Sequence, residues 1–146
     1  MQSGMLLKKT IVKTLTATFL AASSTIITAA ASAAPAAQKS KVEAKVEPSK
    51  SGLAFHFHVV PDAGLHINQE GPWQLEIKAA PGLTFASTTL KKDAVDFALP
   101  GFTLATTVPP SQSSGSVTYK LIAFVCTDDK AQCFRDVLSG EVAWKR

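Results

Sequence analysis

The segment SVTYKLIAFV, residues 116–125, decides the fold. Val117, Tyr119, Leu121, Ala123 and Val125 occupy every second position, with Thr118 and Lys120 between them. Successive side chains of an extended chain point to opposite faces, so this spacing describes a strand with one face in a core. The same period runs outward in both directions. Leu53, Phe55, Phe57 and Val59 alternate in LAFHFHVV, and Trp73, Leu75, Ile77 and Ala79 alternate with Gln74, Glu76 and Lys78. Phe102, Leu104 and Val108 share a face in FTLATTV, and VLSGEVAW supplies a last run.

Turn chemistry separates these runs: Pro61-Asp62-Ala63-Gly64, Glu70-Gly71-Pro72, Pro81-Gly82, Pro100-Gly101 and the Pro109–Gly115 stretch. Proline and glycine there supply the backbone angles that tight reversals need. No segment keeps a helical period. Short strands at close spacing with such turns predict an all-β chain, an immunoglobulin-like antiparallel β-sandwich over residues 51–146. Its expected core draws on Phe55, Phe57, Trp73, Leu75, Ile77, Phe85, Phe102, Leu104, Tyr119, Leu121 and Trp144. The stretch Thr88 to Leu99 reads as a loop or irregular edge.

The amino-terminal part reads differently. Lys8, Lys9 and Lys13 precede an uncharged run from Thr14 to Ala34 that contains Ala31-Ser32-Ala33. A basic start, an uncharged stretch and small residues at an A-x-A site form a secretory signal peptide, here residues 1–33. The expected location is periplasmic or secreted, with no stable membrane insertion once the signal is cleaved. Residues 34–50 (APAAQKSKVEAKVEPSK) carry many Lys, Glu, Ala and Pro and few large apolar groups, so they read as a flexible linker.

The whole chain has fifteen Lys and Arg against eleven Asp and Glu, and three of the lysines lie in the signal. What remains is close to neutral, which argues against nucleic acid or anionic lipid as a partner.

Chemistry concentrates in FVCTDDKAQCF, residues 124–134, which holds both cysteines, Cys126 and Cys133. An oxidising compartment lets the two pair. A bond there closes a short hairpin ring, worth roughly 2–3 kcal/mol by chain entropy. Longer loops, or a link between the sheets, would give a larger gain. Thr127, Asp128, Asp129 and Lys130 keep the loop wet, as exchange with another thiol requires. Staple and redox pair both remain open on the residues alone.

His56 and His58 lie on one side of a strand, opposite Phe55 and Phe57. Two solvent-facing strand histidines are the expected reading, and no Cys-x-x-Cys or His-x-x-His spacing points to metal. The carboxylates Asp93, Asp96, Asp128 and Asp129 fall in expected loops. No nucleophile-elbow pattern is present.

PDAGLHIN (61–68), GPWQLEI (71–77), PGLTF (81–85) and a strand running into CTDDKAQC (126–133) resemble, in order and spacing, one known family. It is the amino-terminal domain of the thiol:disulfide interchange protein DsbD. The resemblance covers about Leu53 to Trp144 and implies an immunoglobulin-like fold. It also implies that Cys126 and Cys133 are the reactive pair, with no metal and no prosthetic group. In that family the domain takes electrons from a membrane-embedded domain and passes them to periplasmic oxidoreductases. The implied partners are therefore periplasmic thiol–disulfide oxidoreductases and a separate membrane electron carrier. By the same resemblance, His66 and Asn68 of GLHIN order a loop between strands. The alternative is a non-catalytic exported interaction domain whose disulfide only rigidifies a hairpin.

Overall fold

In a computed structural model of the protein, the described residues are 37–79 and 81–146. The expected signal peptide lies outside them. Among the described residues there are nine strands: β1 (Ser40–Ser49), β2 (Gly52–Pro61), β3 (Leu65–Ile67), β4 (Gln74–Ala79), β5 (Thr84–Phe85), β6 (Thr89–Lys91), β7 (Gly101–Thr107), β8 (Ser114–Thr127) and β9 (Cys133–Lys145). One 3-10 turn, Lys92–Ala94, follows β6. All strand pairing between them is antiparallel, in two sheets that form a β-sandwich.

The first sheet runs β1-β2-β7-β5. The second is built on β8, the longest strand. One side of β8 pairs with β9 along its whole length, from Ser114↔Lys145 to Cys126↔Cys133. Its other side pairs first with β4 and then, towards the far end, with β3. β6 extends the sheet beyond β4.

The alternation read from the sequence is the alternation of burial. Leu53, Phe55, Phe57 and Val59 are buried on β2, and their neighbours Ala54, His56, His58 and Val60 are only half-buried. Leu75, Ile77, Val117, Leu121, Ala123, Leu138, Val142 and Trp144 face them from the second sheet. Phe57 meets Tyr119 across the sandwich with ring centroids 5.0 Å apart, and Phe55 meets Phe85 at 5.7 Å. The Phe57–Tyr119 pair adds to the apolar burial that drives the two sheets together, and Phe55–Phe85 packs within the first sheet. Trp73 stands edge-on to Phe97, 5.8 Å away. This contact brings part of the irregular 88–99 stretch onto the core.

Residues 40–49 are not a tether. They form β1, paired residue for residue with β2 from Ser40↔Pro61 to Ser49↔Gly52. Val42 and Val46 pack against the core, while Lys41, Glu43 and Lys45 face solvent. The physical reason lies in its place at the sheet edge. An edge strand needs little apolar surface, and charged side chains with a proline discourage pairing with another chain. Lys41–Glu43 and Lys45–Glu47 ion pairs and Pro48 provide these features. The start of β1 is fixed to the second sheet through Asp136 of β9. The buried Asp136 carboxylate accepts the Lys39 N–H at 2.9 Å and the Ser40 hydroxyl at 2.5 Å.

Candidate functional site

The β8–β9 hairpin closes through residues 128–132. The Thr127 N–H donates to the Gln132 carbonyl at 2.9 Å, and the Gln132 N–H returns to the Thr127 hydroxyl oxygen at 3.2 Å. Lys130 N–H donates to the Thr127 carbonyl at 2.8 Å, which makes a turn. Asp129 Oδ1 accepts from the Thr127 hydroxyl at 2.5 Å and from the Ala131 N–H at 3.0 Å. These two donors, the hydroxyl first, hold the Asp129 carboxyl below its ordinary range. Lys130 takes a left-handed backbone, φ 56°, that side chains other than glycine adopt at a cost.

This ladder fixes the cysteines. Thr127 and Gln132 are hydrogen-bonded partners, so the adjoining pair, Cys126 and Cys133, occupies the narrow, non-hydrogen-bonded kind of site. Their Cα atoms are 4.0 Å apart and the sulfurs are bonded, S–S 2.01 Å. The structure thus joins the two residues that the sequence singled out.

The two halves of the disulfide differ in access. Cys126 is 2% exposed, whereas Cys133 is exposed. Cys126 belongs to a central strand of the sheet, with His66 of β3 opposite it on one side and Cys133 on the other. Cys133 sits on β9, which has no strand beyond it among the described residues. The alternation also puts both sulfurs on the outer face of the second sheet, since Leu121 and Ala123 of β8 and Leu138 of β9 face the core.

The GLHIN element supplies the neighbours. Its β3 strand continues the ladder to Asn68, whose N–H donates to the Phe124 carbonyl at 2.8 Å. The Asn68 carbonyl accepts the indole N–H of the buried Trp73 at 2.8 Å. Asn68 Oδ1 accepts the Glu70 N–H at 2.8 Å. Asn68 Nδ2 then lies 3.8 Å from Cys133 Sγ and donates towards it. Gly71 completes the turn against Phe124, and a Cβ there would come within 2.2 Å of that ring. His66 Nδ1 lies 3.5 Å from Asp128 Oδ1, an ion pair when the imidazole is protonated. Gly64, Thr127, Asp128, Asp129, Ala131 and Gln132 line a shallow depression beside the loop.

Asn68 and His66 were expected only to order a loop. Their neighbourhood with the disulfide arises from the β3–β8 register, which joins positions about sixty residues apart. The one trace in the sequence is a polar residue pair, His66 and Asn68, at alternate positions of a short strand.

The histidine pair His56 and His58 lies elsewhere, in a cleft on the outer face of the first sheet lined also by Glu43, Glu47, Asp96 and Leu99. His56 is engaged by its strand neighbours: Nδ1 is 3.1 Å from the Thr103 hydroxyl and Nε2 is 3.6 Å from Glu47. Among the described residues, no group of three or more His, Cys, Asp and Glu is placed to hold a metal ion. Asp96 Oδ1 accepts the Ala98 N–H and belongs to the turn before β7.

The chain matches no protein-family model and no curated protein.

Proposed function

We propose that this protein is an exported thiol–disulfide exchange module that passes an electron pair to or from dithiol partner proteins through Cys126 and Cys133. The observation that carries the reading is the asymmetry of the bond, with Cys126 buried and Cys133 exposed at an open strand edge. The resemblance of GLHIN, GPWQLEI and CTDDKAQC to the amino-terminal domain of DsbD supports it. That resemblance makes periplasmic oxidoreductases the natural partners and a membrane-embedded electron carrier the source.

The chemistry follows from access. A partner thiolate attacks Cys133 Sγ, forming a mixed disulfide, and the electron pair of the broken S–S bond leaves on Cys126 Sγ, which takes a proton from solvent. The partner's second thiolate then attacks its own sulfur in the mixed disulfide and expels Cys133 as a thiolate. The partner ends as a disulfide and this domain as two thiols, two electrons richer. Run backwards, the same steps start with Cys133 attacking a partner disulfide, and Cys126 releases the partner. No prosthetic group takes part.

The test is trapping. Cys126→Ala removes the group that releases the partner, so a lasting mixed disulfide through Cys133 should accumulate in the exported fraction. Cys133→Ala should trap far less, because Cys126 is covered. The second half of the test is a reduction potential near those of periplasmic oxidoreductases. A potential below about −300 mV with no trapped partner would remove the exchange reading. It would leave an interaction domain whose disulfide only rigidifies the β8–β9 hairpin.

A further inference from the structure

The exchange reading needs a group that accommodates charge on sulfur, and one side chain is set to do so. We infer that Asn68 is a positioning residue whose Nδ2 amide is held ready to donate to the Cys133 thiolate. This inference rests on the exchange reading for its purpose, although its geometry stands by itself.

Every other polar group of Asn68 is already committed. The backbone N–H goes to Phe124, the backbone carbonyl receives the Trp73 indole, and Oδ1 receives the Glu70 N–H. The last contact settles which way the amide faces. A backbone N–H requires an acceptor, so the oxygen points to Glu70 and the NH2 group is left for the sulfur. Trp73 is 1% exposed, so the residue is anchored to the core rather than to the loop.

In the disulfide, Cys133 Sγ is a weak acceptor, and the 3.8 Å separation matches a weak contact. Reduction changes the acceptor, not the donor. A thiolate carries full charge, and a donor fixed in advance favours the charged form and lowers the thiol pKa. The same donor acts whenever charge develops on Cys133, both when it attacks a partner disulfide and when it leaves from the mixed disulfide. Lower pKa also speeds departure from that mixed disulfide. Nearby ionisable groups come from each adjoining element: His66 of β3, Glu70 of the following turn, Asp128, Asp129 and Lys130 of the hairpin loop, and Arg135 of β9. All stay unchanged in the comparison below, so the shift isolates Asn68.

The experiment uses Cys126→Ser, in which Cys133 is the single thiol, and follows the pH dependence of its alkylation by iodoacetamide. Adding Asn68→Ala should raise the Cys133 pKa by about 0.5 to 1 unit, the scale of one partly exposed hydrogen bond to a charged group. Asn68→Asp keeps the acceptor for the Glu70 N–H, and so the turn, but puts a carboxylate where the donor was. It should raise the pKa further than Asn68→Ala does. The carboxylate raises a neighbouring thiol pKa by its charge alone, so Asn68→Asp reports that position 68 reaches the sulfur, and Asn68→Ala reports the lost donor. A residue that only ordered the loop would leave the pKa of Asn68→Ala at the parent value, and that result, or Asn68→Asp at the parent value, overturns the inference. The exchange reading fails separately, by absence of trapped partner in the Cys126→Ala protein that retains Asn68. A pKa shift found together with that absence would uphold the Asn68 contact and refute exchange alone.

Discussion

Reducing the disulfide should loosen the protein without unfolding it. Cys126 and Cys133 are seven positions apart, and the chain-entropy relation for so short a ring gives about 2.4 kcal/mol. Among the described residues, the packed hydrophobic cluster runs from Leu53 to Trp144 and takes in neither cysteine; Cys126 is buried outside it, with the sulfurs on the outer face of the second sheet. The hairpin also keeps the Thr127–Gln132 hydrogen bonds and the Asp129 contacts when the S–S bond is gone. A domain of this size has a stability of about 5–15 kcal/mol, so the reduced form stays folded at 25 °C. With about 2.1 cal/mol/K of unfolding entropy per residue, the loss corresponds to a fall in Tm of about 10 °C. The assay is a thermal melt by circular dichroism with and without a phosphine reductant, with reduction verified by mass. Near-ultraviolet signals from Trp73 and Trp144 report the core at the same time. Collapse of those signals at 25 °C on reduction would refute the reasoning and make the bond a staple. An unchanged Tm would refute the ring-entropy magnitude.

Three further outcomes are expected. Asp136→Ala leaves the Lys39 N–H and Ser40 hydroxyl without their buried acceptor, so it should cost about 2 kcal/mol and raise amide exchange at the start of β1, readable by hydrogen exchange. Lys130→Gly relieves the left-handed backbone and should stabilise the oxidised protein by about 1 kcal/mol in urea melts; destabilisation would show that the Lys130 side chain contributes more than its backbone costs. Asp129 has a depressed carboxyl pKa, so its contribution to the hairpin is present above the ordinary value of 3.8 and disappears as pH falls through the lower folded value. An NMR titration should place Asp129 below 3.8, with Ala131 amide exchange rising over the same range, and a midpoint at or above 3.8 would contradict the loop geometry.

The large strands were legible because Leu53, Phe55, Phe57 and Val59, or Val117, Leu121 and Val125, bury one face and expose the other, which a two-residue period reports directly. β1 was not. Its inward residues Val42 and Val46 are small, and Lys and Glu on the outer face outweigh them in any composition reading. Those charges protect an edge, a role that depends on the neighbouring strand rather than on local sequence. The cysteine pair was legible from count, since the sequence holds two cysteines and they allow one pairing. Asn68 was not, because a lone amide gains meaning only from β3–β8 register and from the Glu70 N–H that turns its NH2 group to the sulfur.

Where the strand ends fall has a practical consequence for handling the protein. Lys39 and Ser40 enter the fold beside Asp136, three residues from Cys133, and the Asp62–Leu65 turn lies at the same end. Arg146 is hydrogen-bonded to Ser113 at the start of β8, with the fourteen-residue length of that strand, about 40 Å, separating it from the disulfide. A surface, bead or bulky label coupled near Lys39 would therefore crowd the disulfide. The same attachment at Arg146 would hold the protein by its far end and present Cys133 outward to any incoming thiol.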